Sequence, residues 1–498
     1  MRLLKLKNKP KLLIFIVAYN AEKTISNVLS RIQFEIVEYY NVTILIIDDA
    51  SKDKTYNVST KFAKETEFPF EIVVLKNPIN QGYGGNQKIG FYFAIKNKFE
   101  IVALLHGDGQ YAPECLYELC SPIKDKTADV VFGSRMMTKF GAIKGGMPIY
   151  KYLGNKILTK IQNMLLGTKL SEFHSGYRVY SVESLNKIPF EHNSNVFHFD
   201  TQIIIQLIFA KQRIKELPIP TYYGDEICHV HGIPYAKDVL STTFIAWLQK
   251  FGIFYDKKFD CRINGHDKYL SKVEFPSTHR ETINRIEPKS RILDIGCGSG
   301  YIIGALKEKK CYVSGIDIKK TSSSIVYDEF HQFDLNEGPI NFSIENYNVI
   351  LLLDVIEHLI DPDRFLINFR KRSHINYDTK ILISVPNTAF ISLRLGLLLG
   401  MFNYGERGIL DKTHKRLFTL ASIRNILVQN GYEIINVKGI PAPFALAIGG
   451  NNFIAKTLTY INIMLIKIWK RLFSYQFYIE ARQKPTLESL LKNAKKNI

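Results

Sequence analysis

Cysteine is scarce. Six occur in 498 residues, none in a CxxC pair, and Cys115 and Cys120 are off metal-ligand spacing. A disulfide framework and a cysteine-based zinc module are therefore excluded, and a reducing, cytoplasmic compartment is the simplest expectation. Long apolar runs are missing as well. Residues 395–402 and 457–466 come nearest and fall short of the roughly 18 residues that a membrane-crossing helix needs. The apolar run 12–18 is too short for a secretion-signal core followed by a cleavage site and reads as a strand. Acidic residues are outnumbered, 47 against 66 basic, for a net charge of +19. Such a surplus predicts anionic partners, such as nucleotide diphosphates, lipid phosphates or a membrane face. No zinc finger or RNA-binding aromatic signature accompanies it, so no specific nucleic-acid partner is expected.

What remains is a chain long enough for two or three domains, 46% hydrophobic. In its first half short apolar runs (12–18, 42–47, 72–75 and 101–106) alternate with helical periodicity, the pattern of a parallel α/β sheet. Each run ends in a polar cluster: Tyr19-Asn20-Ala21-Glu22, Asp48-Asp49-Ala50-Ser51-Lys52-Asp53, Asn80-Gln81-Gly82-Tyr83-Gly84-Gly85 and His106-Gly107-Asp108-Gly109-Gln110. In open α/β sheets the ligand sits at the carboxyl ends of the strands. Asp108 there can hold a divalent cation on a diphosphate, or it can form an Asx-type turn ahead of Pro113.

These motifs, with Ile16-Val17-Ala18-Tyr19-Asn20, Gly133-Ser134-Arg135 and Ser175-Gly176-Tyr177-Arg178, make residues 12–225 resemble a family-2 glycosyltransferase of the GT-A fold, close to the polyprenyl-phosphate sugar synthases. The resemblance implies a nucleotide-sugar donor and a glycan or polyprenyl-phosphate acceptor. It places Tyr19, Glu22 and Asp49 on the nucleotide, and Asp108 with Gln110 on Mg²⁺ or Mn²⁺. Arg135 and Arg178 fall on phosphate oxygens. One departure is visible: His106 replaces the first aspartate of the family's DxD, and would stand behind the metal's ligands or tilt the site toward Mn²⁺. Transfer to a hydroxyl needs a base. Asp200 is the first candidate, or else the N-cap of an apolar helix 201–210; Glu172 is the second. An ionised phosphate acceptor would need positioning only. Residues 219–223 read as the closing strand, and Asp225, His229 and His231 as part of an acceptor loop.

A second α/β unit opens with Arg291-Ile292-Leu293-Asp294-Ile295-Gly296-Cys297-Gly298-Ser299-Gly300. Gly315-Ile316-Asp317 follows about 20 residues on, where an acid can hold ribose hydroxyls. Asp334, Asp354-Val355-Ile356-Glu357-His358 and Pro386-Asn387 come after further apolar runs. Residues 289–440 thereby resemble a class I S-adenosylmethionine-dependent methyltransferase, nearest to small-molecule O-methyltransferases. The resemblance implies that Gly296, Gly298 and Gly300 approach the donor, Asp294 meets its ammonium group, Asp317 its ribose and Asp334 its adenine. His358 and His414, the latter in a lid-like segment, are base candidates.

The expected organisation is therefore a GT-A transferase domain (1–238), a helical connector (239–288), a Rossmann-like methyltransferase domain (289–440) and a basic amphipathic helical extension (441–498). The expected function is a bifunctional transferase, cytoplasmic or peripheral at the inner face of the membrane. The alternatives are one catalytic half beside a binding module, or a nucleic-acid methyltransferase.

Overall fold

The computed structural model describes residues 9–222, 232–250, 255–261, 273–319, 327–338, 344, 346–372, 378–405, 407–448, 450 and 452–485. Asp225, His229 and His231 lie outside them. The chain forms two compact units, Met1–Trp247 with Asp256–Gly265, and Leu248–Tyr255 with His266–Ile498. The connector expected at 239–288 is not a separate body. The helix Gly232–Gln249 lies mostly in the first unit, and the helix Thr278–Arg285 belongs to the second.

The first unit is a seven-stranded sheet. Its strands are β1 (Lys11–Ala18), β2 (Asn41–Asp48), β3 (Glu71–Lys76), β4 (Ile101–His106), β5 (Val130–Ser134), β6 (Arg178–Ser181) and β7 (Ile214–Pro218), in the order β3-β2-β1-β4-β6-β5-β7. β1, β2 and β4 are continuous apolar runs because helices cover both faces of the sheet. Leu12, Ile14 and Ile16 pack into one core with Ile44, Ile46, Ala103 and Leu105; Leu13 and Phe15 face the other with Leu45, Val102 and Leu104. Gly90, in the helix Tyr83–Lys96, lets that helix lie on β1: a Cβ there would meet the Phe15 ring at 2.1 Å.

Two expectations are corrected here. The sheet is mixed, because β6 runs antiparallel between β4 and β5. The closing strand is β7, not 219–223: Ile214 to Pro218 pair with β5, and Pro220 just beyond has no N–H to extend a ladder.

The second unit is also a seven-stranded sheet. It comprises β8 (Arg291–Ile295), β9 (Tyr312–Asp317), β10 (Glu329–Gln332), β11 (Val349–Leu353), β12 (Lys380–Pro386), β13 (Tyr432–Ile440) and β14 (Gln476–Gln483), in the order β10-β9-β8-β11-β12-β14-β13. β14 corrects the reading of 441–498 as a helical extension. A helix Phe453–Ile468 is present, but Gln476–Gln483 returns between β12 and β13, antiparallel to both. Phe477, Ile479 and Ala481 are fully buried there, so the sheet cannot close within 289–440. In both sheets the strand order reverses beside the first strand, β1 between β2 and β4, β8 between β9 and β11, all parallel, which opens a crevice at the strands' carboxyl edge.

Candidate active sites

In the first unit, register brings the polar clusters to one edge: Ala18 lies opposite Asp48, Val17 opposite His106, and Arg178 opposite both Leu104 and Phe132. The loops after β1 and β2 interlock. Asn20 N–H donates to Ser51 Oγ (2.9 Å), Ala21 N–H to Thr55 Oγ1 (2.8 Å), Glu22 N–H to Asp53 Oδ2 (3.1 Å) and Lys54 N–H to Glu22 Oε2 (3.1 Å). Asn20 and Ala50 hold φ of 51° and 58°, left-handed values that cost energy in an alanine. Tyr19 is exposed beside them. Asp49 is buried, and its carboxylate accepts from Asn77 Nδ2 (2.7 Å), Gln81 N–H (2.8 Å) and Gly82 N–H (3.0 Å). These bonds tie it to the 77–82 loop, at the edge where the nucleotide is expected.

The glycines of that loop exist for close approach. A Cβ on Gly84 would stand 2.4 Å from the Ser194 carbonyl and 2.7 Å from Phe199 Cβ. The tight packing sets Tyr83 against the segment carrying Asp200. The Tyr83 hydroxyl donates to Asp200 Oδ2 (2.9 Å) and lies 3.3 Å from His106 Nε2. Arg178, 1% exposed, pairs with Asp200 Oδ1 at 3.0 Å. His106 Nδ1 in turn lies 4.0 Å from Asp108 Oδ2. A continuous line of contacts thus runs from Asp108 through His106 and Tyr83 to Asp200 and Arg178. Burial holds His106 below the usual histidine range, against the pull of Asp108 and Asp200, so it is neutral near pH 7. Burial, then Asp200, pushes the Tyr83 phenol up.

Several expected roles change. Asp200 lies inside the helix Phe199–Phe209, whose N-cap is His198; its carboxylate is ion-paired and caps nothing. Arg178 is buried and spends its charge on the Asp200 carboxylate. Arg135 binds Glu172 through its main-chain N–H (2.8 Å), Nε (3.1 Å) and a guanidinium nitrogen, which also donates to the His174 carbonyl. Glu172 is buried and, against its desolvation, Arg135 holds its carboxyl below the usual range. It is the counter-ion of Arg135. Asp108 forms the Asx turn of its second reading and keeps an exposed carboxylate. Its side chain is 43% exposed, and Oδ1 accepts Gln110 N–H at 3.0 Å as an Asx turn does. With histidine at 106 the local donors suit a cation shared with diphosphate oxygens, not one caged by protein alone. Tyr83 was missed; an aromatic flanked by glycines in Gly82-Tyr83-Gly84-Gly85 was its available signal.

In the second unit, β8 ends in Gly296, Gly298 and Gly300, with φ of 69°, 53° and 63°. Side chains rarely adopt such values. Val355 packs against Gly296, where a Cβ would lie 2.6 Å from Val355 Cγ2, whereas a Cβ on Gly298 would meet nothing within 4 Å. Gly298 N–H donates to Asp317 Oδ2 (2.8 Å) and Lys319 N–H to Asp317 Oδ1 (2.9 Å). Asp294 is buried, and burial followed by the Asp317 charge pushes its carboxyl up to about 7. Two carboxylates beside a bare glycine turn fit a ligand carrying an ammonium group and a ribose. Asp334 accepts from Asn336 N–H (2.9 Å) and Nδ2 (3.0 Å) just after β10, at the same sheet edge. After β11, Asp354 takes φ 56° and accepts from Ser384 Oγ and Gln476 Nε2, so β14 reaches the site. His358 and His414 stand together, ring centroids 4.9 Å apart. Burial holds His414 below the usual histidine range.

The model of Glycosyl transferase family 2 matches residues 13–189, and that of a methyltransferase domain matches residues 269–437. The UDP-N-acetylglucosamine–dolichyl-phosphate N-acetylglucosaminyltransferase of Methanococcus voltae is 30% identical over 225 residues, 43% of this chain and 86% of that protein. The chain belongs to glycosyl transferase family 2 and carries a methyltransferase domain besides. The undecaprenyl-phosphate mannosyltransferase of Micrococcus luteus is 26% identical over 214 residues, 42% of this chain and 82% of that protein. The ubiquinone biosynthesis O-methyltransferase of Rickettsia typhi is 25% identical over 197 residues, 38% of this chain and 75% of that protein. The protein is thus a two-domain transferase, with a GT-A unit for glycosyl transfer and a second unit for methyl transfer. In the glycosyltransferase domain the line from Asp108 to Asp200 spans the crevice beside β1. In the methyltransferase domain the glycine turn and Asp317 occupy the equivalent crevice beside β8.

Proposed function

We propose that the first domain transfers a sugar, with inversion and with help from Mg²⁺ or Mn²⁺, from a nucleotide sugar to a glycan or polyprenyl-phosphate acceptor. The second would then methylate an oxygen of the same class of product. The observation that carries the first reading is the contact line Asp108–His106–Tyr83–Asp200–Arg178. It links an exposed carboxylate, which would face the diphosphate, to an oriented carboxylate, which would face the acceptor. Asp108, with Gln110, would hold the cation, whose chemistry is to neutralise the leaving diphosphate. Tyr83 and Arg178 fix the Asp200 carboxylate. It would take the proton of an acceptor hydroxyl; an acceptor phosphate, already ionised, would need positioning and no base. His106, neutral, keeps Asp108 from facing a second anion.

In the methyltransferase domain Gly296–Gly300, Asp294 and Asp317 would bind S-adenosylmethionine, and Asp334 its adenine. The bound donor supplies an activated methyl group. The protein's part is alignment, with proton removal from the acceptor at the His358–His414 side. The relatives named for dolichyl and undecaprenyl phosphate support a lipid-linked acceptor.

A peripheral position at the inner face of the membrane fits the helix Ile391–Leu398 and its continuation. Leu395, Leu397, Leu398 (81% exposed), Leu399, Met401 and Phe402 stand in solvent there. Among the described residues no helix is long and apolar enough to cross a membrane.

The test is release of nucleoside diphosphate from a panel of nucleotide sugars, with Mn²⁺ or Mg²⁺ and polyprenyl phosphate in vesicles. Release that depends on acceptor and cation supports the reading. No release from any nucleotide sugar under any of these conditions would leave the first domain as a binding module at most.

A further inference from the structure

We infer that Glu357, His358 and His414 form a second cation site, in the methyltransferase domain, for one divalent transition-metal ion of the Zn²⁺, Mn²⁺ or Co²⁺ class. Among the described residues these three are the one group of His, Cys, Asp or Glu side chains whose ligand atoms all lie within 4.8 Å of one another. They come from segments more than fifty residues apart, and main-chain hydrogen bonds hold the segments together. Lys415 N–H and Arg416 N–H both donate to the Glu357 carbonyl, at 2.8 and 3.0 Å, and the Arg416 guanidinium donates to the Ile360 carbonyl at 3.0 and 3.1 Å.

Each imidazole has a backbone carbonyl beside its Nδ1. His358 Nδ1 lies 3.2 Å from the Thr413 carbonyl, and His414 Nδ1 2.9 Å from the Ile409 carbonyl. A carbonyl oxygen only accepts, so each Nδ1 carries the proton and each Nε2 keeps its lone pair. A backbone carbonyl on the far nitrogen is the usual partner of a metal-bound histidine, fixing both tautomer and ring direction. Glu357 is fully buried and adds one carboxylate. Two imidazoles with one carboxylate suit transition-metal ions better than Mg²⁺ or Ca²⁺, which prefer all-oxygen shells, and leave positions open for an exogenous oxygen.

The place of the cluster says what the open positions are for. Val355, two residues before Glu357, packs on Gly296 of the donor turn. The site therefore sits at the same sheet edge as the glycine turn, where an acceptor oxygen has to arrive. A hydroxyl bound to such a cation would lose its proton more readily than in water. Its proton passes to solvent, and the oxygen's electron pair forms the new C–O bond. The methyl–sulfonium bond breaks with its pair going to sulfur, leaving the neutral thioether. This use of the site rests on the methyltransferase reading; metal binding itself does not.

The test uses the full chain, stripped with chelator, in an Asp108→Asn background that removes the other expected cation. Co²⁺ alone, read by its visible absorption, and Zn²⁺ alone, read by mass-spectrometric stoichiometry, are titrated in. One equivalent is expected, with affinity falling by about 100-fold or more in His358→Gln and, separately, His414→Gln. S-adenosylmethionine affinity, measured in parallel, is expected to stay within about threefold, showing that the unit is folded. Unchanged Co²⁺ and Zn²⁺ binding in both variants overturns the site, as does the absence of an equivalent in the parent. Retained metal binding without any S-adenosylmethionine binding supports the site and overturns only the methyltransferase reading.

Discussion

Asp294 makes the methyl-donor site pH-sensitive in a direction that can be worked out in advance. In the ligand-free protein its carboxyl is pushed up to about 7 by burial and then by Asp317. A ligand ammonium beside it favours the ionised form. Below pH 7 binding must therefore expel the proton, and affinity should rise with pH. An ionisation at 7 leaves about one molecule in 30 ionised at pH 5.5 and about three in four at pH 7.5. The Kd for S-adenosylmethionine is then about 25-fold weaker at pH 5.5, over a range in which the ligand's own amine stays largely protonated.

Isothermal titration in two buffers of different ionisation enthalpy reads both the affinity and the proton released. Asp294→Asn should bind about 10- to 100-fold more weakly at pH 7.5, as expected for loss of a charged hydrogen bond of about 1.5–3 kcal/mol, and should show no slope. Stability carries the same signature with the opposite trend. The folded pKa is raised, so this group's contribution is complete below the unfolded value and is lost as pH rises through 7. Ligand-free Asp294→Asn should therefore melt higher than the parent at pH 8, by the equivalent of about 1–4 kcal/mol. A Kd that moves less than about twofold between pH 5.5 and 7.5, or a variant that keeps the slope, refutes the reasoning.

Other consequences follow from the glycosyltransferase domain. Arg178→Met strands Asp200 in the interior and should cost about 3–5 kcal/mol in urea unfolding; Arg178→Met with Asp200→Leu should recover much of it, and no recovery would mean that the pair is not the issue. Tyr83→Phe should lower sugar transfer at least about tenfold while nucleotide binding by calorimetry stays unchanged. Gly84→Ala drives a methyl into the Ser194 carbonyl and should destabilise by about 1–3 kcal/mol with loss of transfer. Asp108→Asn should abolish cation-dependent turnover, and His106→Asp should keep donor binding and shift metal preference toward Mg²⁺; full activity in Asp108→Asn would reject the site.

The central strands were legible because parallel strands covered on both faces are apolar throughout and stop abruptly at polar turns. β11, Val349–Leu353, is such a run, ending at Asp354. Short or late strands were not. β6 is four residues, begins with a buried arginine, and owes its place to ladders with β4 and β5, a long-range effect. β14 buries Phe477, Tyr478, Ile479 and Ala481, but it lies in a tail whose scattered basic residues and few acids suggested a surface appendage. Motif spacing singled out Asp108, Asp294 and Asp317, and the structure sets them at the ends of β4, β8 and β9. It could not show that Arg135 faces Glu172 or that Arg178 faces Asp200, since pairing between distant segments depends on packing. For the same reason Glu357, two imidazoles and their carbonyl partners became one site only when residues 409–416 were seen lying on the end of β11.

The account's central claim is that one chain performs two transfers. Its most direct test gives the purified protein a nucleotide sugar that supports diphosphate release, an isotopically labelled methyl donor and polyprenyl phosphate, and weighs the extracted lipid by mass spectrometry. The account predicts a product bearing both sugar and labelled methyl, losing the sugar in Asp108→Asn and only the methyl in Asp317→Ala. A glycosylated lipid that never acquires label, while the protein still binds S-adenosylmethionine, would contradict it.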